Sequence, residues 1–226
     1  MAKAGEATFN TQETTYNGQA VWHYGLLFKS RGAVEKMYPM RDTLDAYISH
    51  QQGSLIYAQK HSDEGDYYSV DELGFTYKEN KTFVASKRYT RTRTKIDTTL
   101  IAEGKVYDML TATLYLRTLD WSKLKIGEEI PFRVAIGRDI VNSAFRYEGQ
   151  QVVDRDKVKY KTRHFYVDVY DEAFTQSKAA GEVWIGDDEN HIPIKVRAKL
   201  KIGAVEAYYK SSENLKYPLS CGIHIR

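Results

Sequence analysis

Apolar and polar residues alternate with a period of two over much of this chain, which is how a half-buried strand reads. The clearest run is Ile194 to Ile202. Ile194, Val196, Ala198, Leu200 and Ile202 fall on one face, and Lys195, Arg197, Lys199 and Lys201 on the other. Gly203 follows and Ala204-Val205-Glu206-Ala207-Tyr208-Tyr209 resumes, so a hairpin turning near Gly203 is expected. The same alternation marks Phe132-Val134-Ile136, Val158-Tyr160-Thr162 and Phe165-Val167-Val169. Turn signals separate the runs: Tyr16-Asn17-Gly18, Gln52-Gly53, Asp63-Glu64-Gly65-Asp66, Glu79-Asn80, Gly127-Glu128, Glu148-Gly149 and Asp187-Asp188-Glu189-Asn190.

One segment departs from this rhythm. Val106, Leu110, Leu114 and Leu116 have helical spacing, with Asp108 in the first turn and Arg117 in the last, as the helix dipole favours. The pattern therefore predicts a mostly β chain: a strongly curved antiparallel sheet or partly open β-barrel, with one helix at 107–117 packed across it. No fixed-period repeat, Gly/Ser linker or low-complexity tract interrupts it. The economical reading is a single β domain over residues 1–218, with 219–226 as a C-terminal tail.

Composition adds exclusions. With one cysteine in 226 residues, Cys221, an intrachain disulfide and any site needing two thiolates are impossible. The balance of 33 basic to 30 acidic residues is too even to imply a polyanionic partner by itself. No stretch approaches the ~20 apolar residues of a transmembrane helix, and no signal peptide opens the chain.

Candidate chemistry is sparse. No two of the six histidines stand at i,i+2 or i,i+4, and His191 after Asp187, Asp188 and Glu189 reads as a solvated turn. Neither a nucleophile elbow nor a phosphate loop occurs. Cys221, close to the C-terminus, is a poor place for a catalytic thiol. Carboxylate pairs such as Asp168 with Asp171 read as surface or turn charges. No catalytic constellation, metal site or cofactor is indicated.

Two broader features remain. Arg91, Arg93, Lys159, Lys161, Arg197 and Lys199 lie on basic strand-like segments that would form one basic face if those segments were neighbours. A solvent-facing outer surface is the simpler account, and nucleic acid is disfavoured. Aromatic residues including Trp22, Tyr24, Phe28, Phe165 and Tyr166 would either line a ligand cavity or fill it.

Three local patterns, taken in order, carry a resemblance. Asp108-Met109-Leu110-Thr111-Ala112-Thr113-Leu114-Tyr115-Leu116-Arg117 resembles an Asp-x-Leu-Ser-x-x-x-Tyr-x-Arg helix. Val183-Trp184-Ile185-Gly186-Asp187-Asp188 followed by His191-Ile192-Pro193-Ile194 resembles a Trp-x-x-x-Asp-x-x-x-x-Pro turn between strands. Gly203-Ala204-Val205-Glu206-Ala207 resembles a closing Gly-Ser-Val-x-Ala hairpin. Together they resemble the bacterial domain-of-unknown-function family 3108 over residues 2–218, with Thr111 and Ala204 in place of serines.

The resemblance implies an exported protein of the periplasm or cell envelope, with a curved sheet akin to lipoprotein-carrier folds and no established activity. It also implies an export signal and a first strand upstream of Met1, because members carry one more strand before a segment like Gly5-Glu6-Ala7. Asp108, Tyr115, Arg117, Trp184, Asp188, Pro193 and Gly203 carry over as motif residues with structural roles. Asp108 would cap the helix, and Arg117 would pin it to the sheet through a carboxylate.

The resulting expectation is a non-enzymatic protein binding a lipid or other amphipathic ligand in a concave sheet. The alternative is an interaction module that meets another envelope protein or an anionic polymer through the basic face.

Overall fold

Asn17 and Gly18 both take positive φ, at 49° and 78°, the backbone that a two-residue hairpin turn demands and that Asn-Gly supplies at least cost. The turn joins β1 (Gly5–Tyr16) to β2 (Gln19–Ser30), which pair without a break over all twelve residues of each. The same up-and-down pairing continues through β3 (Arg41–Ser49), β4 (Leu55–Glu64), β5 (Tyr67–Lys78), β6 (Lys81–Tyr89) and β7 (Thr94–Glu103). These seven strands form one antiparallel sheet in chain order. The computed structural model describes residues 5–170, 177–199 and 204–224.

A second antiparallel sheet follows. Its strands are β8 (Glu129–Ile136), β9 (Asp139–Arg155), β10 (Val158–Val169), β11 (Ser177–Gly186), β12 (Pro193–Lys199) and β13 (Ala204–Tyr208), again in chain order, with β14 (Gly222–His224) pairing β10. Among the described residues two helices accompany the sheets, α1 (Gly32–Met37) and α2 (Met109–Arg117), with one 3-10 turn at Trp121–Lys123. The mostly β reading with a helix near 107–117 is thus the observed fold, built as two sheets.

By internal contacts the chain divides into two compact units, Met1–Leu114 with Arg133–Ile140, and Tyr115–Phe132 with Val141–Arg226. In the first unit, Tyr24, Ala46, Ala58 and Leu73 are successive cross-strand partners and so share a face. That face carries the unit's core, with Phe75 and Val84 beside it and Val106, Leu110 and Ala135 packed in the same cluster. In the second unit, Val153, Val158, Tyr160, Trp184, Ile194 and Cys221 form another buried cluster.

Three expectations change. Residues 219–224 are not a tail: Cys221 is buried within this second cluster, and β14 adds to β10 through Val158↔His224, Lys159↔Ile223 and Tyr160↔Gly222. Glu148-Gly149 is not a turn. It is a bulge inside β9, where the register slips between His164↔Gly149 and Phe165↔Tyr147 and Gly149 takes φ 103°. The hairpin joining β12 to β13 forms, but Gly203 at its turn lies outside the described residues.

Candidate functional site

The motif residues sit in supporting positions. Asp108 is buried at the start of α2, where its carboxylate accepts the N–H groups of Leu110 and Thr111 at 3.0 and 2.9 Å and the Thr111 hydroxyl. Thr111 Oγ1 in turn accepts the Asp108 N–H at 3.1 Å. This reciprocal cap satisfies donors that a helix start leaves orphaned, and burial pushes the Asp108 carboxyl up against these bonds. Tyr115 is half-buried on the same helix.

At the helix end, Arg117 Nη2 donates to the carbonyl of Asn190 at 2.9 Å, a backbone group in the β11–β12 turn. The Arg117 carbonyl lies 2.9 Å from His191 Nδ1, and the His191 ring stacks on Trp121 at 3.7 Å. Asp188 in the same turn ties in the C-terminal segment: Oδ1 accepts Asn190 N, while Oδ2 accepts Ser220 N and Cys221 N at 3.0 and 3.1 Å. The Asn190 side-chain amide holds Tyr217 and Pro218 backbone. Trp184 is buried, with Nε1 donating to Gln151 Oε1 at 2.8 Å, and Pro193 opens β12. Gly203 is outside the described residues. Arg117, Asp188 and their neighbours therefore clasp the C-terminal end of α2, the turn and the C-terminal strand within the second unit.

The basic positions do not assemble into one face. Arg91 and Arg93 lie in the β6–β7 connection of the first unit, where Arg91 stacks over Tyr68 at 4.7 Å and pairs with Asp63 at 4.0 Å. In the second unit, β10 and β12 are separated by β11, and the register sets their parity. His164, Trp184 and Lys195 are cross-strand partners, so even positions of β10 share a face with odd positions of β12. Lys159 and Lys161 consequently project from the opposite face to Arg197 and Lys199. Arg197 is moreover paired with Glu182 at 3.0 Å and stands 3.8 Å from Glu206.

That parity gives the second sheet two distinct faces. One is polar. Its rows read Arg146, Tyr166, Glu182, Arg197, Glu206 and, alongside, His164, Trp184, Lys195, Tyr208. Lys195 pairs with Glu206 at 3.0 Å and lies over the Trp184 ring at 4.6 Å. His164 stacks on the same Trp184 ring at 4.4 Å, nearly parallel at 7°, and sits 3.2 Å from Glu182. Burial lowers the His164 pKa, opposed by the Glu182 carboxylate. Buried Asp168 receives Arg146 Nε at 2.9 Å, and its sequence companion Asp171 is outside the described residues. This face is charge-compensated.

The other face is apolar across five strands. One row is Tyr147, Phe165, Val183, Val196, Ala207; the next is Phe145, Val167, Gly181, Ala198, Val205. Phe145, Tyr147 and Phe165 are buried, with Trp121 against Phe165 at 5.7 Å. Along both rows exposure rises toward β12 and β13, reaching 39% at Val196 and 46% at Val205. Sequence reasoning assigned the apolar side of this alternation to the core. The pattern gives parity, and only the register shows which positions lack cover.

Of the candidate aromatics, Phe165 fills space, whereas Trp22 is 38% exposed and stacks with His50 at 4.8 Å. Two open surface depressions lie in the first unit. One is lined by Glu72, Lys87, Tyr89, Thr90, Arg93 and Thr94, the other by residues around Lys29, Arg31 and Arg41. Among the described residues no cluster of three or more His, Cys, Asp or Glu is placed to hold a metal ion. No helix among them is long and apolar enough to cross a membrane.

The class of fold is thus mostly β, with two antiparallel sheets and few helices. The chain belongs to the DUF3108 family, proteins of unknown function, whose family model matches residues 1–210. Its fold is similar to the crystal structure of a β-barrel-like protein of domain of unknown function DUF1849 from Brucella abortus. That likeness has a TM-score of 0.60 at 10% identity and covers 91% of this chain and 88% of the other. A comparison with curated proteins finds no match.

Proposed function

We propose that this protein is a non-enzymatic component of the bacterial periplasm or cell envelope that binds the apolar part of a lipid or other amphipathic ligand. The supporting observation is the open half of the apolar sheet face, where Val183, Val196, Ala198, Val205 and Ala207 are contiguous across β11–β13. Exposed apolar patches on a folded protein mark interaction surfaces, and each methylene of a chain laid on such a face contributes up to ~0.8 kcal/mol. Gly181 and Ala198, directly paired, keep the middle of the row low, so a flexible chain has a shallow bed to follow. The envelope assignment rests on the family resemblance alone.

The test is native mass spectrometry of protein purified from its own host, with binding of a fluorescent fatty acid measured alongside. A lipid adduct is expected, together with probe binding that weakens at least tenfold in a Val196→Asp/Val205→Asp variant. Absence of an adduct together with probe binding that ignores the substitutions overturns the reading.

A further inference from the structure

The densest basic run in the sequence, Lys87 to Lys95, holds five basic residues in nine, and the fold separates them by what they meet. Arg88 donates to the Asp71 carboxylate, its cross-strand partner. Arg91 lies over the Tyr68 ring and pairs with Asp63. Lys87 and Arg93 differ from both. Each is exposed, and among the described residues neither side chain has an ion pair or a hydrogen bond. The Lys87 ammonium stands 5.8 Å from the centre of the Tyr89 ring. Together with Glu72, Tyr89, Thr90 and Thr94 the two cations line one open depression of about 420 Å³. That is within the roughly 300–1,000 Å³ that small-molecule sites span.

The register explains the grouping. Gln59, Glu72, Lys87 and Asp97 are successive cross-strand partners on β4 to β7, on the face opposite the core. Lys87 thus stands between two acids and pairs with neither. Glu72 Oε1 instead accepts the Tyr89 hydroxyl at 3.1 Å and the Gln59 amide at 3.3 Å, which pins the carboxylate to its own wall. Arg93 is fixed at the backbone: the Thr90 N–H donates to its carbonyl at 2.9 Å, and Thr90 Oγ1 accepts its N–H at 3.3 Å.

A single solvated cation on a surface needs no ligand. Two that share one concavity repel each other, and an anion placed between them removes that repulsion. We infer that this depression binds a phosphate monoester carried on a hydroxylated body, as in a sugar phosphate, free or as a lipid headgroup. The two cations match the charge of close to two that a phosphate monoester carries near pH 7. The Arg93 guanidinium fork suits two phosphate oxygens at once, and Lys87 adds a point charge. Glu72 only accepts hydrogen bonds, so the wall it forms selects hydroxyl groups on the body that bears the phosphate.

The test is calorimetric titration of the chain at low ionic strength with glucose 6-phosphate, inorganic phosphate and glucose as separate probes, each up to ~10 mM. Glucose 6-phosphate should bind more tightly than inorganic phosphate, and glucose should give no heat. Lys87→Gln with Arg93→Gln should weaken glucose 6-phosphate at least tenfold, with an unchanged far-ultraviolet circular dichroism spectrum. Arg91→Gln, in the same turn but outside the depression, should leave binding as it is. Co-sedimentation with phosphatidylcholine vesicles carrying a phosphatidylinositol phosphate separates the two sources. Vesicle uptake that the Lys87/Arg93 double substitution abolishes assigns the phosphate to a lipid headgroup, and glucose 6-phosphate binding without uptake assigns it to a soluble sugar. Failure of both probes to bind overturns the proposal. So does an Arg91→Gln loss as large as that of the double variant, since diffuse charge and not a site would then carry the binding. Glucose 6-phosphate no tighter than inorganic phosphate overturns the hydroxyl-selecting role of Glu72.

Discussion

His164 shows how one side chain ties stability to pH. It is 4% exposed, stacked on Trp184, and held between Glu182 and the Arg146–Glu148 pair, with burial the dominant influence on its ring. Its folded pKa lies below the ordinary 6.5, so the unfolded chain binds the proton more readily. The stability held by the neutral ring is present above that value and lost as pH falls through it. From pH 7 toward 5 stability should fall, by no more than ~1.4 kcal/mol per unit for this one group, and level off once the folded ring also takes its proton. Urea midpoints measured across this window should slope downward with acid in the wild type and flatten in His164→Gln. Equal slopes would mean that other groups carry the titration. Nothing in the sequence around Arg163-His164-Phe165 marks this histidine as buried, because its cover comes from strands twenty residues away.

At the scale of elements, α2 was the most legible feature, since its apolar spacing and its capping residue agree with each other. Asp108→Ala removes the acceptor for two backbone N–H groups and a hydroxyl, and should lower stability by ~1–2 kcal/mol in denaturant unfolding. Asp108→Asn keeps an acceptor and has no charge to bury, so it should cost less. Burial raises the folded carboxyl, so the wild type loses stability as pH rises through that value. The gap between the wild type and the asparagine variant should therefore move in favour of asparagine from pH 4 to pH 7. Other elements were not legible for physical reasons. The turn between β9 and β10 uses Asp156 and Lys157, both at positive φ, with no glycine to announce it. Glu148-Gly149 has the chemistry of a turn, and the long pairing of β9 with β10 absorbs it as a bulge. α1 buries no residue and has no side-chain cap, so no periodicity marks it.

Over the whole molecule, alternation was enough to show a mostly β chain, and it was not enough to show where that chain is exposed. Which of two faces a strand buries is set by partners far away in sequence. Lys159 and Arg197 looked like members of one basic surface until the β10–β11–β12 register put them on opposite sides. The apolar rows ending at Val196 and Val205 were visible as alternation, while their lack of cover was not.

The placement of Cys221 has a kinetic consequence. Burial, with the Asp188 carboxylate adding to it, pushes this thiol up to about 12, and 1% of the residue meets solvent. Thiolate is the reactive form, so in the closed state the group is doubly shielded, by scarcity of the anion and by lack of access. A maleimide or disulfide reagent therefore reacts only while the β10–β14 pairing is open. The chain carries no other cysteine, so the rate of its modification is a clock for that opening alone. Asp188→Asn, which keeps the side-chain oxygen and removes the charge, should speed the clock by about tenfold or more if the Ser220 and Cys221 amides hold the strand shut through the carboxylate. An unchanged rate would show that packing around Trp184 and Tyr160 closes it unaided. The single thiol thus serves as an internal reporter of when the second unit's last strand lets go.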